Sequence, residues 1–372
     1  MSKLRLGVLF GGVSGEHEVS LMSARSILSV LSPEKYEVIP IGITKQGQWV
    51  TGEKVLEALE GGDTTSLIPV TILPEPGSHM LYALRSIEGQ VQLEPLSELD
   101  VIFPVLHGTF GEDGTVQGLL EVAGLAYVGA GVLASSVCMD KALCKKVLSA
   151  HGLPVVEWKV FTRGQIRQDM SAVIQQAEAI SPYPLFVKPA NLGSSVGITK
   201  CNNSADLTKG LMEAARYDRR VLVERGLNCP REIEVSVLGN ENPLASLPGE
   251  IRPKQEFYTY DAKYYDNSTE LLAPAPLSQS EIKRFQELAI EAYKATDCAG
   301  MARVDFLMES DNRAVYISEI NTIPGFTRIS MYPRLWSISG IPYQELVDRL
   351  LELALERKAE NDQTERVFRR DG

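Results

Sequence analysis

The chain has 372 residues, of which 44% are hydrophobic and 23% are charged. This length exceeds one ordinary domain and predicts two or three domains around a shared cleft, with enough apolar side chains for several cores. The net charge of −11 disfavours an extended nucleic-acid-binding surface, although a local basic pocket for phosphates stays compatible with it.

The chain begins with a strand, a tight loop, a helix and a second strand. Residues 4–10 alternate in hydrophobicity before the Gly11–Gly12 pair, which predicts a strand that enters a loop. Helical patterning follows over 17–31, and a second strand is predicted over 36–43. This βαβ start favours a parallel sheet covered by helices, within a first domain over residues 1–131.

The next segments complete that domain and start a second one. A buried strand at 101–106 leads through the glycine-rich turn HGTFGEDG into a helix over 116–123. A second domain is predicted over 132–224, and it opens with the helix of MDKALCKKVLSAH. Its strand PLFVKP runs into the loop ANLGSSVG and returns as the strand ITKC, which indicates a small α+β module.

A third domain is predicted over residues 225–372. The strand candidate RRVLVERG spans its predicted start and REIEVSVLG follows it, and two more candidates, MARVDFLME and AVYISEIN, follow a helix capped by Ser278 and Glu281. The tyrosine-rich stretch 256–269 has no clear period, which is typical of a loop that orders over a ligand. A last helix over 343–357 leads into a charged tail.

The two late strands carry the strongest chemical pattern. Because side chains alternate faces along a strand, Arg303 and Asp305 share a face, as do Glu319 and Asn321. A hairpin folded about the turn at 310–313 places Asp305 roughly opposite Glu319 and Arg303 roughly opposite Asn321. Two facing carboxylates repel each other, and a divalent cation resolves this repulsion. Asp, Glu and Asn oxygens are ligands suited to Mg²⁺, which commonly bridges nucleotide phosphates. From the pattern alone, a solvated polar face with an ordinary salt bridge is equally compatible.

A second pattern combines lysines with a glycine-rich loop. Lys188 ends a strand before the loop 190–197, in which Ser194 and backbone amides can hold phosphate oxygens. Lys141 on its helix adds a second positive charge, whereas the Walker A pattern GxxxxGK[ST] is absent. A single lysine is more often a solvated surface group, but the two lysines, the loop and the hairpin together favour a nucleotide.

Three smaller features border the same expected cleft. Glu16 stands at the start of the first helix, where the helix dipole stabilises a carboxylate and where Glu16 can also receive a substrate ammonium. His107 precedes a glycine-rich turn, although a lone histidine is usually structural. NTIPGFTRIS predicts a tight turn in which Gly325 lets backbone amides approach an anion. Four histidines without paired spacing disfavour a zinc site, and the missing GxGxxG disfavours a dinucleotide.

The sequence also predicts a cytoplasmic location. The five cysteines are scattered and form no CxxC pair, which is typical of free thiols in a reducing compartment. The first residues, MSKLRLGVLFGG, lack a hydrophobic secretory core, and no apolar run has the length of a bilayer span. We therefore expect no membrane partner.

Seven motifs together resemble the D-alanine–D-alanine ligases, a family with the ATP-grasp fold. In chain order they are FGGVSGEHEVSL, LHGTFGEDGTVQG, MDKALCKKVL, FVKPANLGSSVG, EFYTYDAKYYD, ARVDFL and SEINTIPGFT. Each is moderately specific, and their order and spacing together are highly specific up to about Arg349. The resemblance implies α/β and α+β architecture: a three-domain ATP-grasp fold whose N-terminal domain is a Rossmann-like parallel sheet.

The resemblance also implies roles for single residues. Those that resemble contacts to ATP are Lys141, Lys188, Glu224, Glu232 and Lys263. Those that resemble ligands of two Mg²⁺ or Mn²⁺ ions are Asp305, Glu319 and Asn321. Those that resemble the catalytic set are Glu16, Ser194, Tyr264, Arg303 and Gly325. Those that resemble the substrate pocket are Glu16, His107, Arg303, Gly325, Ser330 and Met331.

The implied activity is the ATP-dependent ligation of two D-alanines through a D-alanyl phosphate, for peptidoglycan precursor synthesis. The resemblance also implies a homodimer and allows for a monovalent cation. The alternatives are a D-alanine–D-lactate or D-alanine–D-serine ligase and, from another class, a non-catalytic nucleotide-binding module. Tyr264 favours the dipeptide product, and the complete set of Asp305, Glu319 and Asn321 argues against the non-catalytic module.

Overall fold

The computed structural model of the chain describes residues 3–193, 196–252 and 270–365. Within these ranges the chain forms three β-sheets flanked by helices. None of the helices in the described ranges combines the length and hydrophobicity needed to cross a membrane.

The first sheet lies in the N-terminal part of the chain. Its strands are β1 Leu4–Gly11, β2 Tyr36–Ile43, β3 Trp49–Thr51, β4 Ile68–Ile72, β5 Met80–Ile87, β6 Gln90–Glu98, β7 Val101–Val105 and β8 Ala126–Tyr127. Their spatial order is β6-β5-β4-β3-β2-β1-β7-β8, with parallel pairing from β2 through β1 and β7 to β8. This parallel half confirms the predicted βαβ start, whereas the antiparallel half from β3 to β6 was not predicted.

Three helices pack against this first sheet: α1 His17–Leu28, α2 Val55–Gly61 and α3 Thr115–Ala123. Helix α1 ends three residues before its predicted end, with Ser29 as the C-cap residue. A tighter contact closes this last turn, because the Val30 amide donates to the carbonyl oxygen of Ile27, three residues earlier.

The second sheet has four antiparallel strands in the order β11-β10-β12-β9. In chain order they are β9 Trp158–Thr162, β10 Leu185–Pro189, β11 Thr199–Cys201 and β12 Arg220–Arg225. The helices near it are α6 Arg163–Gln168, α7 Met170–Glu178 and α8 Ser204–Tyr217. Its core is self-contained: Phe161, Leu185, Leu211 and Val223 lie in one buried cluster drawn from these elements.

The third sheet lies in the C-terminal part of the chain and is antiparallel. Its strands are β13 Arg231–Leu238, β14 Leu244–Ala245, β15 Gly249–Arg252, β16 Glu270–Leu272, β17 Met301–Met308 and β18 Val315–Asn321. The helices that follow or flank these strands are α9 Gln279–Ala295, α10 Met331–Ile338 and α11 Tyr343–Asn361. The predicted capping box of Ser278 and Glu281 is confirmed at the start of α9.

Two helices between the first and second sheets pack on the third one. They are α4 Val132–Met139 and α5 Lys141–Ala150. Cys138 of α4 and Leu148 of α5 lie in the same buried cluster as Phe285 of α9 and Val304 of β17. The start of the segment predicted as the second domain therefore shares its core with the C-terminal sheet.

The last helix of the chain packs against the first sheet. Leu350 of α11 lies in one buried cluster with Phe103 of β7. The Lys35 ammonium lies 2.7 Å from the Asp348 carboxylate, although 313 residues separate them in sequence. The two ends of the chain therefore form a single packed unit.

Candidate functional site

The described residues enclose a cleft of about 1340 Å³ that is lined by residues of all three sheets and their loops. This volume exceeds the range of about 300–1,000 Å³ that is typical of a single small-molecule pocket. Every predicted site residue within the described ranges lines this cleft. Three other predicted residues, Ser194, Lys263 and Tyr264, lie outside the described residues.

The hairpin of β17 and β18 has the predicted register. Arg303 pairs with Asn321, and Asp305 pairs with Glu319, so the four polar side chains share one face. Arg303 Nε lies 2.7 Å from Asp305 Oδ1, and Arg303 Nη2 lies 2.6 Å from Asp305 Oδ2. The Asn321 amide donates to Asp305 Oδ2 at 2.9 Å. Asp305 is therefore the centre of a polar network that borders the cleft.

A third strand adds a carboxylate that the sequence analysis missed. Glu234 on β13 pairs with Asp305 on the side opposite Glu319, and Glu234 Oε2 lies 3.2 Å from Arg303 Nε. Burial alone would lower the pKa of the Arg303 guanidinium, but Asp305 and Glu234 raise it, so Arg303 stays cationic. A signal was present in the sequence, because Glu232 and Glu234 fall on the face of the strand opposite Ile233, Val235 and Val237.

The donor set of the hairpin fits a hard divalent cation. Across the described ranges, no group of three or more His, Cys, Asp and Glu side chains is arranged to hold a metal ion. The hairpin offers two carboxylates and one amide, from Asp305, Glu319 and Asn321. Mg²⁺ is commonly held by one or two carboxylates, with water and substrate phosphates as further ligands. The set therefore fits an ion that is completed by a phosphate.

The predicted phosphate-binding lysines, Lys141 and Lys188, line the same cleft as the hairpin. Lys188 of β10 and Lys145 of α5 both form ion pairs with Glu224 of β12, and the distance from Lys145 Nζ to Glu224 Oε2 is 3.1 Å. Lys141 Nζ donates to the carbonyl oxygen of Leu192 at 2.7 Å. This contact ties the start of α5 to the glycine-rich loop after β10.

Glu224 controls the charge of this cluster. Burial alone would raise the pKa of the Glu224 carboxyl, but the ammonium groups of Lys145 and Lys188 outweigh it and lower the pKa to about 2. Burial would likewise lower the pKa of Lys188, but Glu224 raises it. The sequence analysis missed Lys145, which lies one helical turn after Lys141 and so on the same face of α5.

Glu16 lies where two glycine-containing loops meet. A methyl group added at Gly108 would lie 2.5 Å from Glu16 Oε2, and one added at Gly193 would lie 3.0 Å from the same oxygen. Gly108 also has a φ of +72°, a left-handed conformation that disfavours side chains. Both glycines therefore give the Glu16 carboxylate room beside the loops that follow β7 and β10.

His107 connects the N-terminal and C-terminal parts of the cleft. It is 4% exposed, and its Nδ1 lies 3.0 Å from the carbonyl oxygen of Ile323, to which it must donate. Burial alone would lower the pKa of His107, but Glu112, at 3.6 Å from Nδ1, and the carbonyl raise it. The sequence analysis did not identify Glu112 as part of this site.

The turn after β18 and the start of α10 form the remaining wall. Ser330 is the N-cap residue of α10, and its Oγ accepts a hydrogen bond from the Thr327 amide at 3.1 Å. A methyl group added at Gly325 would lie 3.0 Å from Ser330 Oγ. The start of α10, with Ser330 and Met331, therefore borders the cleft, and a helix N-terminus favours an anion there.

Two family models match most of the chain. The model described as "D-ala D-ala ligase N-terminus" matches residues 5–130, and the model described as "D-ala D-ala ligase C-terminus" matches residues 147–352. The D-alanine–D-alanine ligase of Natranaerobius thermophilus is 51% identical over 369 residues, which cover 99% of each chain. The ligase of the same name from Caldicellulosiruptor bescii is 48% identical over 357 residues, 96% of each chain.

Two solved structures have the same overall fold. The D-alanine-D-alanine ligase from Coxiella burnetii superposes with a TM-score of 0.83 at 40% identity, over 98% of this chain and 97% of that chain. The VanG D-Ala:D-Ser ligase from Enterococcus faecalis superposes with a TM-score of 0.83 at 34% identity, over 95% of this chain and 100% of that chain. The backbone fold alone therefore does not distinguish a D-alanine–D-alanine ligase from a D-alanine–D-serine ligase.

Proposed function

The chain belongs to the D-alanine–D-alanine ligase family, and from this membership we propose that it joins two D-alanines into D-alanyl-D-alanine while ATP is converted to ADP and phosphate. The expected three-sheet ATP-grasp architecture agrees with the solved ligase structures. The observation that carries the proposal is the hairpin face, where Arg303, Asp305, Glu319 and Asn321 border a cleft that Lys141 and Lys188 also line.

The first half of the proposed reaction activates a carboxylate. The carboxylate of the first D-alanine attacks the terminal phosphorus of ATP, which gives D-alanyl phosphate and ADP. Lys141 and Lys188 bind phosphate oxygens, and Asp305, Glu319 and Asn321 would hold the two divalent cations that the family resemblance implies. Mg²⁺ or Mn²⁺ bound there would neutralise charge on the transferred phosphoryl group. The buried ion pair of Lys188 with Glu224 supports this role, since it orients a permanent positive charge toward the cleft.

The second half forms the peptide bond. The neutral amine of the second D-alanine attacks the acyl phosphate carbon, and the tetrahedral oxyanion receives hydrogen bonds from Arg303 and the Gly325 amide. Phosphate then leaves with the electron pair of the broken bond. A preorganised donor of this kind is typically worth about 3–4 kcal/mol. Ser330 and Met331, at the start of α10, bind the carboxylate of this second substrate, which the helix N-terminus favours.

The remaining assignments follow the family resemblance. Glu16 receives the ammonium of the first D-alanine, with Ser194 and Tyr264 in the same hydrogen-bonded set, and His107 borders this pocket. Glu224 and Glu232 contact the nucleoside, and Lys263 reaches the transferred phosphate. The position of Glu16 between two loops supports its assignment.

From family membership we further propose that the protein is a cytoplasmic homodimer that supplies a peptidoglycan precursor. Its proposed domains are residues 1–131, 132–224 and 225–372. The first matched family segment ends at residue 130, which supports the first domain boundary. Sedimentation analysis of the purified chain tests the dimer.

The test of the activity is phosphate release from ATP and Mg²⁺ with single amino acids, followed by mass spectrometry of the product. We expect release only with D-alanine and a product of the mass of D-alanyl-D-alanine. Release with another amino acid but not with D-alanine would overturn the substrate assignment.

The D-alanine–D-serine alternative needs its own test, because the VanG structure has the same TM-score, 0.83, as the Coxiella burnetii ligase. Competing D-alanine, D-serine and D-lactate as acceptors, over a range of pH, separates the alternatives. An amine acceptor must lose its proton before it attacks, so dipeptide formation should rise with pH, whereas ester formation with D-lactate lacks this requirement. A larger yield of D-alanyl-D-serine than of D-alanyl-D-alanine, at equal acceptor concentrations, would reassign the second substrate to D-serine.

Gly108→Ala should weaken use of D-alanine. The added methyl group would clash with Glu16 Oε2, and the left-handed conformation costs a non-glycine residue about 1–2 kcal/mol of stability. Because small displacements of positioning groups are costly, we expect kcat/KM for D-alanine to fall about 100-fold. Steady-state kinetics and thermal unfolding measure the two effects.

Gly118→Ala in α3 is the matched control, because no atom lies within 4 Å of the added methyl group. Alanine is favoured over glycine in a helix by about 0.5–1 kcal/mol, so this variant should be fully active and no less stable. Unchanged D-alanine kinetics in Gly108→Ala would remove Glu16 from the substrate pocket.

A further inference from the structure

A third carboxylate lies beside the hairpin residues proposed to bind metal. Glu234 on β13 pairs with Asp305 in the sheet register, as Glu319 does from the other side. The Glu234 residue is 5% exposed and borders the cleft. The family resemblance assigns Glu234 no role. On the premise of the proposed ligase reaction, the charged groups around Glu234 indicate one.

Arg303 is the cation that Glu234 and Asp305 share. Arg303 Nε and Nη2 lie 2.7 and 2.6 Å from the two oxygens of Asp305, and Nε also lies 3.2 Å from Glu234 Oε2. The guanidinium thus occupies the same Asp305 oxygens that the proposed function gives to a divalent cation. The guanidinium and the metal ion therefore compete for one carboxylate.

We propose that Glu234 is a positioning residue, which retains Arg303 through its Nε when Asp305 binds the metal ion. The fork of the guanidinium presents several donors, so contact through Nε leaves the Nη groups available to the oxyanion. A buried charge without a partner is strongly destabilising. Without Glu234, the Arg303 guanidinium therefore remains paired with Asp305. There it weakens binding of the metal ion, and it no longer reaches the oxyanion.

Two variants separate the geometry of Glu234 from its charge. Glu234→Gln keeps the size and removes the charge, whereas Glu234→Asp keeps the charge and shortens the side chain by one methylene. The matched control is Glu250→Gln, because Glu250 is a buried carboxylate of the same sheet, 2% exposed, which lies 2.7 Å from Arg231 rather than near Arg303. It reports the effect of breaking a buried ion pair elsewhere in the sheet.

The measurements are kcat and KM with D-alanine, and Mn²⁺ binding in the presence of ADP by electron paramagnetic resonance. Both Glu234 variants should lose about 10- to 100-fold in kcat and in Mn²⁺ affinity, as is typical of residues that orient a metal site. Glu250→Gln should retain wild-type values of both. Equal losses in Glu250→Gln, or a wild-type Glu234→Asp, would overturn the positioning role.

A double-mutant cycle tests whether Glu234 acts through Arg303. If it does, Glu234→Gln should cause no further loss of kcat in an Arg303→Gln background, because the residue it positions is already gone. Losses that multiply in the double variant would overturn the proposal. D-alanine-dependent phosphate release by the wild-type protein tests the ligase function separately, and the Mn²⁺ titration tests Glu234 even if that release is absent.

Discussion

Asp305→Asn should lower kcat for D-alanine-dependent phosphate release by about 1000-fold. The variant keeps the shape of the side chain but removes the negative charge at the centre of the hairpin network, where Asp305 faces Glu319 and Arg303. A metal ion stabilises a transition state by several kcal/mol, and each 1.4 kcal/mol is a tenfold change in rate. Arg303 retains Glu234 as a partner, so the folded structure should persist.

The control for this prediction is Asp311→Asn, the same chemical change at an exposed position in the turn of the same hairpin. It should retain full activity. Circular dichroism and thermal unfolding establish that both variants are folded. A folded and fully active Asp305→Asn variant would exclude Asp305 from the metal-binding set.

Lys188→Gln should affect both ATP binding and stability. A hydrogen bond to a charged group is worth about 1.5–3 kcal/mol, so losing the phosphate contact should raise KM for ATP by about 10- to 150-fold. The variant also leaves the buried Glu224 carboxylate with Lys145 as its remaining lysine partner in the cluster. An under-satisfied buried group costs about 1–3 kcal/mol, which should appear in the free energy of unfolding.

The triple variant Lys145→Gln/Lys188→Gln/Glu224→Gln separates these two effects. Removing all three charges should recover part of the stability, because neither the buried carboxylate nor the buried Lys145 ammonium is left without a partner, while KM for ATP stays high. Lys209→Gln, at an exposed position of α8 in the same part of the chain, is the matched control and should leave both quantities unchanged. A Lys188→Gln variant with wild-type KM for ATP would remove Lys188 from the phosphate site.

The hairpin could be predicted in detail because its information is local. Turn-forming residues separate two strands of alternating pattern, so counting from the turn places Asp305 within one residue of Glu319, and a register shift between Asp305 and Phe306 completes the pair. The approximate bounds of β1, β2 and β7 in the parallel half of the first sheet were predicted for the same reason, whereas β8 was not predicted. Each of these predictions depends on a residue pattern that is contained in one short stretch of the sequence.

Features that depend on distant segments were missed. Glu234 acquires its place because β13 pairs with β17 in one particular register, and no short segment contains that register. The β3–β6 half of the first sheet was missed because β6 is exposed along nearly its whole length and so lacks a buried face to detect. Helix α10 was missed because Pro333 lies near its start, where a proline resembles a turn signal.

The packing of α11 on the first sheet determines the order in which the protein can fold. Strand β1 leaves the ribosome long before Leu350 of α11, which completes the cluster that contains Phe103. During synthesis this apolar surface of the nascent chain lacks its final cover, and such surfaces favour aggregation. Contacts across 313 residues also slow folding, because distant segments must meet before they are stabilised. The second sheet, with its self-contained cluster, has no such delay and can fold while translation continues.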